Sequence, residues 1–282
     1  MPTQAACSPN CGAGSLAGSA GGAWTACAHL KTYGMMFDNR MARGIIALSK
    51  ASGVRSAAEL GGGLGLYASF LAMSDLELDD IVMMEPKPVK LPLEDPGIVR
   101  SSGLPRLVAI DLATASAEQL AAQRIGKFDL VYTLEVIEHI PRSYHHKLFD
   151  WLAAATKKLL VISVAIPGQP GHGHIANRSP ADIKLQLEKR GLKWLQHATE
   201  AMRAAVFPPN TDRNTMVFVP KDADTQLSRT DEPPLELLAL RRGPLFNQTV
   251  QGAEKRYYHG HYWPKVYKLQ KEVRRGAVRC DT

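Results

Sequence analysis

Two groups of residues in this chain have the types and spacing to do chemistry. The first is Glu59-x-Gly61-x-Gly63-x-Gly65, with Glu85 twenty positions after the last glycine. Alternating glycines open conformations closed to other residues and remove side chains that would block a ligand. A carboxylate such as Glu85 can accept hydrogen bonds from a pair of hydroxyls. The spacing is not the dinucleotide fingerprint G-x-G-x-x-G. Counted from Gly61, its last glycine falls on Leu66; counted from Gly62, its second falls on Leu64. The second group is Glu135-x-x-Glu138-His139 together with "GQPGHGHIAN" at 168–177, which carries His172, His174 and Asn177. Imidazole ordinarily exchanges a proton near neutral pH, so His139 is a candidate general base, with Glu135 and His174 beside it. The plainer role for His139 is to orient the loop before Pro141.

The elements around these groups alternate. "DNRMARGIIALSKASG" predicts a helix capped by Asp38 and closed by Gly53, with Ile45, Ile46 and Leu48 inward. "RSAAEL" predicts a strand running into the glycines, and "GLYASFLAMS" a helix leaving them. Strands follow at "DIVMME" (80–85), "RLVAID" (106–111), "FDLVYTLE" (128–135) and "LLVISVAI" (159–166), with helices at 116–126, 142–156 and, capped by Ser179, 179–191. A proline-studded loop separates the second and third strands. "LKWLQ" and "NTMVFVP" (214–220) close the pattern as a return strand antiparallel at the sheet edge. Short apolar strands alternating with helices imply β-α-β units and a parallel sheet. In such a sheet, ligands bind beyond the carboxyl ends of the strands, where strand order reverses. Both chemical groups follow strands at that edge. His145 and His146, on the helix at 142–156, read as solvated.

Motif order adds a resemblance. Glu59-x-Gly61-x-Gly63-x-Gly65 is similar to motif I of the class I S-adenosylmethionine-dependent methyltransferases, and "FDLVYTLEVIEHIP" resembles motif IV in their small-molecule O- and N-methyltransferase branches. "AAVFPPNTDRNTMVFVP" resembles the family's last strand pair, so the resemblance covers roughly 38–220. It implies an α/β fold: a doubly wound, mostly parallel seven-stranded sheet with an antiparallel last strand. It implies S-adenosyl-L-methionine as cofactor, held by Glu59, Gly61, Gly63, Gly65, Glu85, Asp111, Leu112 and Glu135. In the family, the acid at the position of Glu85 binds the ribose hydroxyls and an Asp like Asp111 receives the adenine amino group. Asp111 could equally cap the next helix. Glu135, Glu138, His139 and a later histidine also resemble the metal site of the small-RNA 2′-O-methyltransferases, where a divalent ion grips a ribose diol. The site is nevertheless expected to work without a metal.

Composition bounds the rest. The chain has 282 residues, 45% hydrophobic and 22% charged, and no apolar run near the ~20 residues of a membrane span. Residues 1–24 are expected to be a disordered leader, 25–221 the cofactor-binding domain and 222–282 a basic, aromatic extension. Residues 251–282 carry eight Lys/Arg against three Asp/Glu, and "KRYYHGHYWPKVYK" interleaves bases with aromatics. Such a segment can dock on the domain, seat on a membrane surface or stack nucleotides. Four cysteines without a C-x-x-C pair argue against a disulfide framework and fit a reducing, cytoplasmic setting. The expectation is methyl transfer to a small-molecule O, N or S acceptor. Two alternatives stand: an RNA 2′-O-methyltransferase using a divalent metal, and a non-catalytic nucleotide-binding or scaffold protein of the same fold.

Overall fold

A computed structural model describes residues 38–63, 65–86, 105–171, 173–206 and 211–240. The expected leader, most of the proline-studded loop, His172, all four cysteines and the basic aromatic segment lie outside the described residues.

The first helix, α1 (Asn39–Ala51), starts as expected: Asp38 accepts a hydrogen bond from the Arg40 backbone N–H, and Gly53 takes φ 58° just past its end. There follow β1 (Ser56–Leu60), α2 (Leu66–Ala72), β2 (Asp80–Glu85), β3 (Arg106–Ala109), α3 (Ala117–Ala122) and β4 (Phe128–Leu134). Then come α4 (His145–Ala155), β5 (Thr156–Ser163), α5 (Pro180–Glu188), β6 (Leu192–Trp194), α6 (Gln196–Ala205), α7 (Thr211–Asn214) and β7 (Met216–Pro220). Two short helices end the described chain, α8 (Gln226–Thr230) and α9 (Leu235–Leu240).

The strands form one seven-stranded sheet in the order β3-β2-β1-β4-β5-β7-β6. The first five strands pair in parallel, and β7 runs antiparallel between β5 and β6. Helices on both faces explain why the strands are nearly continuous apolar runs. The period of two divides each strand between two cores. Leu130 and Tyr132 face the layer of α1, α2 and α6, whereas Val131 faces the layer of α4 and α5, with Leu148, Phe149 and Leu187. Strand order reverses between β1 and β4, so the turns after these strands border one crevice.

Several details differ from expectation, β3 ending at Ala109 rather than Asp111 among them. β5 spans Thr156–Ser163 rather than 159–166, because Thr156 already pairs with Phe128 of β4, and Lys158 can donate to Asp129 at 3.2 Å. A 3₁₀ turn, Arg142–Tyr144, precedes α4, which starts at His145. His145 is buried, not solvated. Its Nε2–H donates to the Ile140 carbonyl at 2.7 Å, Arg178 Nε donates to Nδ1 at 2.6 Å, and burial holds its pKa below the usual value. The described part of the expected extension, residues 222–240, packs on the domain, where Leu227, Leu237 and Leu240 join the core beside α1 and α6. Among the described residues, no helix is long and apolar enough to cross a membrane.

Candidate functional site

The turn after β1 is built from glycines in left-handed conformations, Gly61 at φ 70°, Gly63 at φ 54° and Gly65 at φ 70°. Two further contacts fix it. Gly61 N–H donates to the Met84 carbonyl at 2.8 Å, and Gly65 N–H to the Gly62 carbonyl at 2.7 Å. A Cβ on Gly62 would lie 2.4 Å from Met83 Cγ and 2.9 Å from Glu59 Oε2. A Cβ on Gly61 would lie 2.6 Å from Val136 Cγ2, so the segment after β4 rests directly on the turn.

Glu85 ends β2 beside this turn, where its Oε2 accepts from Gly63 N–H at 3.1 Å. Glu59 lies beneath it. Its Oε2 accepts from Ala68 N–H at 3.1 Å and from the Tyr132 hydroxyl at 3.3 Å. Glu59 thus ties β1 to α2 and β4. Burial pushes its carboxyl up to about 8, against the two hydrogen bonds and with help from the charge of Glu85. Asp111 lies just past β3 and accepts from Ala113 N–H at 3.0 Å, while Leu112 is buried in the α4 and α5 layer. Asp111 therefore caps the turn that follows it.

The second group gathers across the crevice. Glu135 holds φ 55°, a left-handed conformation that costs a non-glycine residue about 1–2 kcal/mol. Its N–H donates to Ser163 Oγ at 3.0 Å. Its Oε2 accepts from Gln169 Nε2 at 3.1 Å and its Oε1 from Asn214 Nδ2 at 2.7 Å. Glu138 is fully buried, and neither carboxyl oxygen has a hydrogen-bond partner among the described residues. Burial first, and the charge of Glu135 second, hold its pKa well above the usual carboxylate range.

The loop after β5 brings His174 to this carboxyl, with Nε2 3.8 Å from Glu138 Oε1. His139 and His174 meet edge to face, their ring centroids 5.0 Å apart. A carbonyl oxygen only accepts, so each ring's contact fixes its tautomer. His139 Nδ1–H donates to the Gly173 carbonyl at 3.0 Å, and His174 Nδ1–H to the Gln169 carbonyl at 3.4 Å. In the neutral form of each ring the lone pair is then at Nε2. Donor atoms of Glu138, His139 and His174 lie within 4.8 Å of one another, a set with the ligand types of a divalent metal site. Gly171 of this loop serves close approach: a Cβ there would lie 2.2 Å from the His174 ring.

The sequence-identified residues thus fall into two sets. Glu59, Gly61, Gly63, Gly65 and Glu85 form one, around the glycine turn. Glu135, Glu138, His139 and His174 form the other, after β4. Asp111 and Leu112 mark the end of β3. Gln169, Asn214, Ser163 and Tyr132 were not singled out by sequence. Gln169 lay inside the flagged loop, and Asn214 opened a predicted strand with no chemical motif around it.

A seven-stranded sheet with this order and a reversed β7 decides the architecture. It is the class I methyltransferase fold. Methyltransferases are among the solved structures similar to this chain, at low identity. Magnesium protoporphyrin IX methyltransferase from Synechocystis PCC 6803, with bound S-adenosylmethionine, is 17% identical over 64% of this chain and 77% of its own, with TM-score 0.45. The methyltransferase domain of a bacterial Hen1 is 15% identical over 64% of this chain and 97% of its own, with TM-score 0.46. The N-methyltransferase NodS from Bradyrhizobium japonicum is 13% identical over 64% and 94%, with TM-score 0.43. No protein-family model and no curated protein sequence matches this chain.

Proposed function

We propose that this chain is a methyltransferase that uses S-adenosyl-L-methionine and acts on a small-molecule O, N or S acceptor. The observation that carries this is the glycine turn with Glu85 at the point where strand order reverses, packed against the segment after β4 that carries Glu135 and His139. The residues suit this cofactor. Glu85 offers a carboxylate to a ribose diol, the end of β3 offers Asp111 and Leu112 to an adenine, and Glu135 offers a negative charge to a cation. When bound, the sulfonium supplies a methyl group that forms its new bond to the acceptor as the C–S electron pair returns to sulfur. The chain's part is to hold the acceptor in line and, for a hydroxyl, to take its proton. His139 Nε2 is the atom for that proton, because Nδ1–H is committed to the Gly173 carbonyl.

One observation favours a second reading. The partnerless Glu138 carboxyl between two imidazoles with Nε2 lone pairs suits a divalent ion that would polarise an acceptor diol, such as a ribose of RNA. Transfer of labelled methyl into small-metabolite and RNA pools, with and without chelator, separates the two readings. Chelator-resistant labelling of a metabolite supports the first. Chelator-sensitive labelling of RNA, restored by a divalent ion, supports the second. Binding of S-adenosylmethionine with no transfer to either pool would favour a non-catalytic protein of this fold.

A further inference from the structure

The Glu135 carboxylate is bound by side chains from two separate parts of the chain. Gln169 belongs to the loop after β5 and Asn214 to the last residue of α7, 79 positions from Glu135 in sequence. Each amide donates to a different carboxylate oxygen. Both oxygens therefore act as acceptors, and each keeps a second lone pair for another donor. Gln169 does more than this. Its Oε1 accepts from Ile166 N–H at 3.2 Å, and its carbonyl takes Asn177 Nδ2 at 3.0 Å and His174 Nδ1 at 3.4 Å. One residue thereby sets the positions of both Glu135 and His174. Asn214 is 2% exposed, so its amide has little freedom to turn away.

The carboxylate is held beside the glycine turn. Val136, the next residue, packs on Gly61, so the segment that carries Glu135 lies against the turn. A left-handed backbone at a non-glycine residue, braced by hydrogen bonds from three other elements, is the geometry of a group kept in place against local preference.

We propose that Gln169 and Asn214 are positioning residues: their amides present the Glu135 carboxylate to a positively charged part of the cofactor above the glycine turn. This rests on the methyltransferase reading. It extends that reading to two residues that hold a charge in place without themselves touching the reacting atoms.

The test uses the full chain and two probes, S-adenosylmethionine and methylthioadenosine. The second keeps the nucleoside as a neutral thioether and lacks the whole aminocarboxypropyl arm, ammonium and carboxylate together. Asn214→Asp removes the amide donor while keeping the shape. It should weaken S-adenosylmethionine binding about tenfold or more and leave methylthioadenosine binding unchanged. The double variant Asn214→Asp/Glu135→Gln reverses donor and acceptor and moves the charge to position 214. It should recover the thermal stability lost in the single variant but not the affinity for S-adenosylmethionine. Gln169→Ala should show the same selective loss. Recovery of full affinity in the double variant would make the clamp a structural joint and overturn the proposal. So would equal loss of both probes. A wild-type chain that binds methylthioadenosine no more weakly than S-adenosylmethionine would show that no charge is read, and overturn it too. Wild type binding neither probe would instead overturn the methyltransferase reading, and the proposal with it.

Discussion

Replacing Glu59 with Gln should stabilise the protein by an amount that grows with pH. The Glu59 carboxyl is 4% exposed and lies beneath the glycine turn. Burial is the main cause that lifts its pKa from 4.5 to about 8. The folded state therefore keeps a proton that the unfolded chain releases. Stability from this group is fully present below the unfolded pKa, falls as pH rises between the two values, and levels off above the folded one. Each pH unit in that window costs ~1.4 kcal/mol. At pH 7, two and a half units above the ordinary value, the wild type has lost about 3 kcal/mol. Gln has no proton to lose and keeps an amide oxygen for Ala68 N–H and the Tyr132 hydroxyl. Urea unfolding of both proteins across pH 4 to 8.5 measures the difference. It should be near zero at pH 4 and about 3 kcal/mol in favour of Gln at pH 7. A difference that does not change with pH would refute the reasoning.

Three other outcomes are expected. Gly62→Ala places a Cβ 2.4 Å from the fully buried Met83 and should cost ~1–3 kcal/mol of stability in urea unfolding, with weaker cofactor binding because the turn must shift. His139→Ala should slow single-turnover transfer to a hydroxyl acceptor by ~10²–10⁴-fold while leaving cofactor affinity nearly unchanged. A mutant as fast as wild type would limit His139 to holding Gly173. Removing residues 251–282 should reduce acceptor turnover more than cofactor affinity. A steep fall of wild-type activity with salt on RNA alone would instead mark phosphate contacts.

Much of the fold was legible because it depends on period and punctuation. Asp38, Ser179 and Gly53 read correctly as helix ends, since a cap needs only its own side chain or backbone freedom. "DIVMME" matched its strand residue for residue, ending in the carboxylate that reaches Gly63. The start of β5 was missed because Thr156 and the two lysines after it look polar, and only the fold places Asp129 beside Lys158. His145 was misread for the same reason: its partners, Ile140 and Arg178, come from loops on either side of the helix. The helices after Lys221 are only five and six residues long, too short to show an amphipathic period, so nothing in sequence showed that Leu237 covers α1. In the site, the carboxylates and histidines stood out by type. Gln169 and Asn214 are ordinary amides whose role appears only when chain segments far apart in sequence meet at Glu135.

The central claim is that the turn at 61–65 and Glu85 hold S-adenosylmethionine. Calorimetric titration of wild type and Glu85→Ala with S-adenosylmethionine and with NAD tests it directly. Wild type should bind S-adenosylmethionine and not NAD, and Glu85→Ala should weaken that binding by about 2–4 kcal/mol through loss of two charge-assisted hydrogen bonds to ribose hydroxyls. Tight binding of NAD with none of S-adenosylmethionine would contradict the account.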